Sequence, residues 1–240
     1  MTESLRQAWE HQADAWAAWA RAPGHDMFWH HTWPELAALL PEPGALTLDL
    51  GSGEGRLGRE LTALGHRVVG FDSSPSMVRF AATHERPVPT VLADVAHLPV
   101  RPGAADLAIA CMSFHDVDDL PGAVREAAAA LRPGGRLCLA IVHPINSAGA
   151  FANRSPDAPF VIAGSYLDEF RYRDDVERDG YTMTFHSAHR PLEAYTRAFE
   201  DEGLVLEALR EPAFRGPAGV GEFQGWDRLP LFCLLRARKS

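Results

Sequence analysis

The run Leu48-Asp49-Leu50-Gly51-Ser52-Gly53-Glu54-Gly55-Arg56-Leu57 constrains the fold of this chain more than any other stretch. An apolar strand stops at a glycine-rich turn and restarts as a helix. Such a turn removes side chains where the backbone must approach a ligand, and it aims free helix N–H groups at that ligand. A dinucleotide fingerprint requires G-x-G-x-x-G, whose third glycine allows close helix–strand packing beside a pyrophosphate. Here the glycines fall at 51, 53 and 55, position 56 is Arg, and Glu54 sits inside the turn where it would repel a pyrophosphate. The loop therefore reads as built for a nucleoside ligand without phosphates.

Apolar runs and amphipathic segments alternate from residue 46 to 142. Strands are expected over 46–50, 67–71, 90–93, 106–112 and 136–142, with helices over 56–64, 74–84 and 121–131. The last of these helices contains Ala127-Ala128-Ala129-Ala130, and Pro133-Gly134-Gly135 is expected to turn. Alternating strands and helices imply right-handed parallel crossovers in an open α/β sheet with helices on both faces. After His143-Pro144 the pattern breaks: residues 143–190 show no long period and read as an inserted cap. A helix over 192–202 and strands over 204–209 and 230–237 complete the sheet, the last two as an antiparallel hairpin at one edge. Before the core, a helix over 4–20 bears Leu5, Trp9, Trp16 and Trp19, and a second is expected over 33–40. The expected organisation is a helical lid (1–45), a ligand-binding core (46–142), an acceptor-side cap (143–190) and completion of the sheet (191–240).

Ligands of open parallel sheets sit beyond the carboxyl ends of the strands. Asp72 ends the second strand, 21 residues after Gly51, where a carboxylate accepts both hydroxyl hydrogens of a ribose. Asp94 follows the third strand and is placed to accept from an exocyclic adenine amine. His115 lies past the fourth strand and His143 caps the fifth.

In this order and spacing, Asp49-x-Gly51-x-Gly53-x-Gly55, Asp72, Asp94 and Leu131-Arg132-Pro133-Gly134-Gly135 resemble the class I S-adenosylmethionine (SAM)-dependent methyltransferases. The resemblance spans residues 46–143. It implies a Rossmann-like, seven-stranded, mostly parallel sheet with its last strand antiparallel. It also implies SAM as cofactor and S-adenosylhomocysteine (SAH) as product. The cofactor site would comprise Asp49, Gly51, Ser52, Gly53, Gly55, Asp72, Ser73, Asp94, Val95, Cys111 and Met112. The Gly51–Gly55 loop would hold the methionine part, Asp94 with Val95 the adenine, and Cys111-Met112 the floor near the sulfonium. Ser52 stands where Cys or Thr is frequent. The flanks, Trp16-x-x-Trp19-Ala20-Arg21-x-Pro23-Gly24-His25-Asp26, His143-Pro144, Gly164-Ser165-Tyr166-Leu167 and His189-Arg190-Pro191-Leu192-Glu193, resemble a bacterial, type 11-like subgroup acting on small molecules. The implied reaction moves a methyl group to an oxygen or nitrogen, or to a carbon, of a small acceptor. A SAM-fold enzyme repurposed for a non-methylating reaction and a catalytically silent SAM-binding module are the alternatives.

Methyl transfer needs an aligned nucleophile, exclusion of water and, for a hydroxyl, deprotonation. Trp16, Trp19, Phe28, Trp29 and Trp33 are candidates for an apolar lid. His143, His115 and His186 are the candidate catalytic groups, His186 with His189 and Arg190 as a possible contact for an anionic acceptor. His186-x-x-His189 with His143 lacks paired carboxylates at ligand spacing, so no metal is expected, and Asp116, Asp118 and Asp119 read as a solvated loop.

The formal net charge of −9, with 23 basic and 32 acidic residues, argues against a nucleic-acid partner. No apolar stretch of spanning length and no secretory signal pattern is seen, so no membrane association is expected. Cys111, Cys138 and Cys233 each lie in an apolar run and read as reduced core thiols of a cytoplasmic protein. Monomer and homodimer are both compatible with the Trp-rich start.

Overall fold

The computed structural model describes residues 3–22, 26, 29, 32–213 and 225–240. Its centre is a seven-stranded sheet in the order β10-β11-β5-β4-β1-β2-β3. The strands are β1 (Thr47–Leu50), β2 (Val68–Asp72), β3 (Thr90–Leu92), β4 (Ala105–Cys111), β5 (Leu131–Val142), β10 (Leu204–Arg210) and β11 (Phe232–Lys239). Strands β1 to β5 run parallel, and β11 is antiparallel to both β5 and β10. The last strand is thus antiparallel, as the resemblance implied, but it inserts between β5 and β10 and leaves β10 at the edge.

Strand alternation divides the core into two layers. On β4, Leu107 and Ile109 pack with Leu57 and Leu61 of α4 (Arg56–Ala63) and with Leu36 of α3 (Trp33–Ala37). Ala108 and Ala110 face the other way, onto α6 (Leu120–Ala130) and onto Tyr195 and Phe199 of α8 (Leu192–Asp201). Both faces being covered, the central strands read as continuous apolar runs. The Ala-rich face of α6 is buried, which lets that helix lie close on the sheet. The turn expected at Pro133-Gly134-Gly135 becomes an irregularity inside β5: Leu131 pairs with Ala105 but Arg136 with Leu107, and Gly134 sits at φ +77°.

Two expectations need correction. The helix expected over 4–20 is two helices, α1 (Leu5–His11) and α2 (Ala13–Arg21), separated at Gln12. A capping box between Ser4 and Gln7 starts α1, and the break brings Trp9 and Trp16 into edge contact, with ring centroids 5.8 Å apart. The stretch 143–190, which shows no long period, contains a regular hairpin.

After α7 (Pro144–Ala148) and a small ribbon of β6 (Ala150–Phe151) and β7 (Phe160–Val161), β8 (Phe170–Arg178) pairs antiparallel with β9 (Tyr181–His189) in unbroken register. The connecting residues Asp179 and Gly180 have φ +52° and +81°, the Asp-Gly pair favoured in two-residue hairpin turns. On β8 the polar residues occupy both faces. Tyr172, Asp174, Val176 and Arg178 line a cavity, while Arg171, Arg173, Asp175 and Glu177 are exposed. A strand that faces an open cavity instead of a packed apolar core need carry no hydrophobic alternation.

Candidate active site

The strand order reverses between β1 and β4, since β2 and β3 lie to one side and β5 to the other. Loops at such a switch point diverge and leave a crevice. The β1 loop is folded back onto β2 by two bonds, Gly51 N–H and Ser52 N–H donating to the Phe71 carbonyl at 2.8 and 3.0 Å. Gly51 has φ +75°, and a Cβ there would stand 2.4 Å from Cβ of Ser113. Ser113 in turn donates from Oγ to the Leu50 carbonyl at 2.7 Å, so the loops after β1 and β4 are stitched together. At Gly53 the nearest neighbour is the Trp16 indole, lying over the loop from α2.

The acidic residues occupy distinct environments. Asp72 accepts from the backbone N–H of Gly53 at 2.8 Å and of Ser74 at 2.9 Å, joining the β1 and β2 loops through one carboxylate. Withdrawal from water pushes its pKa above the usual carboxylate range, against these bonds. Asp49 is buried, its Oδ2 has no hydrogen-bond partner among the described residues, and burial together with the Asp72 charge pushes it up to about 8. Asp94 accepts from Ala96 N–H at 2.9 Å. Met112, with φ +54°, is a non-glycine residue in the left-handed region at the end of β4, a strained backbone of the kind found at ligand sites.

One cavity of about 370 Å³ collects these groups. Asp49, Gly51, Ser52, Gly53, Asp72, Ser73, Asp94, Val95, Cys111 and Met112 line it, and Gly55 does not. Gly55 instead precedes α4 in a left-handed conformation.

Glu54 also ties elements together. Its buried carboxylate is taken up by Arg59 at 2.5 Å and by Arg21 of α2 at 3.1 Å, so it ties the N-terminal helices to the loop. Arg56 pairs with Asp26 at 2.8 Å and lies 4.2 Å from the centroid of the Trp29 ring. Glu10 of α1 accepts from the hydroxyls of Ser74 and Ser76 at the start of α5 (Pro75–Thr83). Both loops that embrace the cavity are thereby hooked to the helices above them.

The roof is aromatic. Trp9, Trp16 and Trp19 surround Phe185 of β9 with centroid separations of 6.3, 6.3 and 5.7 Å in edge-on geometry, and Trp9 Nε1 donates to the His186 carbonyl at 2.9 Å. Trp29 stacks on Trp33 at 5.0 Å. Phe28 and Pro23-Gly24-His25 of the N-terminal motif lie outside the described residues.

The three candidate histidines are not brought together. His115 lines the cavity, is buried, and is pushed down to about 3 by burial and the nearby Arg190 charge. His143 is not among the lining residues; its Nδ1 accepts from Ile145 N–H at 3.0 Å, capping α7, and its Nε2 meets Glu211 at 3.0 Å. His186 is excluded by strand alternation, since its neighbours Phe185 and Ser187 line the cavity and it points to the opposite face. The same parity separates it from His189, whose ring is held by Ser147 and the Tyr166 carbonyl.

Asp116 corrects the reading of a solvated acidic loop. Its side chain is 10% exposed, it lines the cavity, and Ser187 Oγ donates to its Oδ1 at 2.6 Å. Asp119 caps α6 through Gly122 N–H, and Asp118 accepts from Leu5 N–H and from Arg171, pinning α1 and the hairpin. Asp116, Tyr172 and Ser187 are among the cavity residues that sequence reasoning missed. The available signals were the position of Asp116 on the rim beyond the fourth strand and the Asp179-Gly180 turn signature.

A methyltransferase domain family model matches residues 48–139. The ubiquinone biosynthesis O-methyltransferase of Xanthomonas campestris is 33% identical over 184 residues, covering 74% of this chain and 73% of that protein. A ubiquinone/menaquinone biosynthesis C-methyltransferase of Caulobacter vibrioides is 26% identical over 214 residues, 82% of each chain. Two further relatives are matched over only 32% and 42% of their own length. Among solved structures, a SAM-dependent methyltransferase from Mesorhizobium loti superposes with a TM-score of 0.68 at 26% identity, over 86% of this chain and 97% of that one. With the switch-point loop, the acidic residues after β2 and β3 and the antiparallel last strand, these similarities establish that the chain belongs to the class I SAM-dependent methyltransferases.

Proposed function

We propose that this chain transfers a methyl group from SAM to an oxygen or nitrogen atom, or to a carbon, of a small, ring-bearing molecule inside the closed cavity. The observation that carries this reading is the continuity of one chamber from the β1 loop, Asp72 and Asp94 to the aromatic roof formed by α1, α2 and the β8–β9 hairpin. Quinone biosynthesis appears in the names of both relatives with long matches, which supports an acceptor with an apolar ring.

The residues present fit the cofactor. The unpartnered Oδ2 of buried Asp49 suits a cationic amino group. Each Asp72 oxygen accepts one backbone N–H and keeps a lone pair for a ribose hydroxyl. Asp94 and Val95 would hold the adenine end, Ser73 and the loop backbone the neighbouring polar atoms. When bound, SAM supplies an electrophilic methyl carbon on a sulfonium cation. The protein supplies alignment and exclusion of water, for which Trp9, Trp16, Trp19 and Phe185 provide an apolar cover. Residues 1–45 would then act as lid, 143–190 as acceptor-side cap, and 46–142 with 191–240 as the donor-binding core.

The proposal extends to a cytoplasmic protein, monomeric or homodimeric, with no nucleic-acid or membrane partner. Three free cysteines, two of them buried in the sheet, support a reducing compartment. Among the described residues no helix is long and apolar enough to cross a membrane. The test is calorimetric titration with SAH followed by transfer of labelled methyl from SAM to catechol and naphthohydroquinone. Absence of SAH binding would overturn the proposal.

A further inference from the structure

The cavity has two chemically different ends. Asp72 and Asp94 follow β2 and β3 on one side of β1, and the loop after β4 lies on the other. At that second end Asp116 presents a carboxylate that the proposed cofactor positions do not use. Ser187 donates to Oδ1, and His115 Nε2 approaches the same oxygen at 3.5 Å. Among the described residues no hydrogen bond reaches Oδ2. Trp9, Trp16 and Phe185 form the apolar wall across the same chamber, and Tyr172 stands on the hairpin beside Ser187.

Resting on the methyltransferase reading, we infer that this end is the acceptor subsite. A hydroxyl or amine hydrogen of the acceptor bonds to Asp116 Oδ2, its apolar ring lies against Trp9, Trp16 and Phe185, and Asp116 takes the proton as the methyl group arrives. The step balances. A bond forms from the acceptor oxygen or nitrogen to the methyl carbon, and the sulfur–carbon bond breaks with its electron pair kept on sulfur. The acceptor proton passes to Asp116. Ser187 is a positioning residue that fixes the carboxylate by its other oxygen.

The surroundings support Asp116 over His115 as proton acceptor. Burial holds the Asp116 carboxyl well above the usual carboxylate range, against the Ser187 bond and the Arg190 charge, so its ionised form is the stronger base of the two. His115, pushed down to about 3, is a poor base at neutral pH. The remaining groups facing Asp116 are phenols: Tyr172 of β8 is pushed up to about 12 and Tyr195 of α8 is also raised, so neither titrates near neutrality. An anionic acceptor is disfavoured because it would set a second negative charge against Asp116.

The experiment uses the SAH-loaded full chain with catechol as hydroxyl probe, benzylamine as amine probe and benzoate as anionic control. Binding of catechol or benzylamine, and of benzoate at least tenfold more weakly, is expected; which donor binds separates the two acceptor atoms. In labelled-methyl assays Asp116→Asn should slow transfer to the preferred probe by roughly 10²–10⁴-fold. Its SAH affinity should stay within twofold, which also reports that the variant is folded. The acid limb of the wild-type pH–rate profile should vanish in Asp116→Asn and return in Asp116→Glu. Benzoate binding as tightly as the donor probes, neither donor probe binding, or an Asp116→Asn variant with unchanged rate and acid limb would each overturn the inference. Loss of SAH binding in the wild-type chain would instead strike the methyltransferase reading beneath it.

Discussion

Asp49 and Asp72 lie on adjacent parallel strands, and the charge of Asp72 adds to burial in pushing the Asp49 carboxyl up to about 8. Two carboxylates so close, in a cavity where Asp49 Oδ2 has no partner among the described residues, are poorly compensated by the protein itself. A cationic ligand group relieves both.

The first prediction concerns pH. Folding raises the Asp49 carboxyl from the ordinary carboxylate range to about 8, so the folded state binds the proton more tightly than the unfolded chain. Its stabilising contribution is complete below about pH 4 and is lost as pH rises through about 8. The ligand-free protein should therefore melt at lower temperature as pH increases across that window, and Asp49→Asn should reduce the slope. SAH binding should release protons, seen in calorimetry in buffers of different ionisation enthalpy; proton uptake would contradict the placement of a cationic group at Asp49.

Asp72→Ala removes the carboxylate that bridges the Gly53 and Ser74 backbones and faces the proposed ribose. Hydrogen bonds to a charged group contribute about 1.5–3 kcal/mol each. Losing two of them should weaken SAH at least 100-fold, as an order of magnitude, in calorimetric titration, and an unchanged affinity would exclude the assigned role.

Gly51→Ala forces a side chain onto a backbone at φ +75° and drives its Cβ against Ser113. A non-glycine residue in such a conformation costs about 1–3 kcal/mol before the collision is counted. The variant should lose thermal stability and SAH affinity together, and Gly51→Ala with Ser113→Gly should recover part of both because the contact atom is gone.

The Glu54 clamp separates two energetic regimes. Arg59 is buried with Glu54, so Arg59→Met leaves a buried carboxylate without that partner and should destabilise by about 3–5 kcal/mol. Arg21 is 41% exposed and its pair is screened, so Arg21→Ala should cost no more than about 1 kcal/mol. Chemical denaturation of both variants checks the ordering; equal losses would show that the link between α2 and the loop, and not the burial of Glu54, sets the stability.

Legibility in the sequence tracked how local the governing physics was. The β1 loop could be read because its glycines, its flanking strand and its helix are contiguous, and backbone conformation is decided within a few residues. The parallel strands could be read because burial on both faces leaves continuous apolar runs. The β8–β9 hairpin could not be read from periodicity, since Asp174 and Arg178 line a cavity while Arg173 and Asp175 are exposed. Glu54 illustrates the other limit: its position in the turn was plain, but its direction was decided by Arg59 one helical turn away and by Arg21 from a separate element.

By itself the sequence determined the end of the cavity proposed to bind the donor: a doubly covered parallel sheet with an antiparallel last strand, a glycine loop at its switch point, and carboxylates after β2 and β3. Each depends on short-range backbone geometry or on the period of burial. Only the tertiary structure decided the end proposed for the acceptor. It set Asp116 against Ser187 across 71 residues, closed the roof with Trp9 and Trp16 from α1 and α2, and turned His143 and His186 out of the cavity. Contacts at such separations depend on how elements pack, and no local pattern in the chain encodes them.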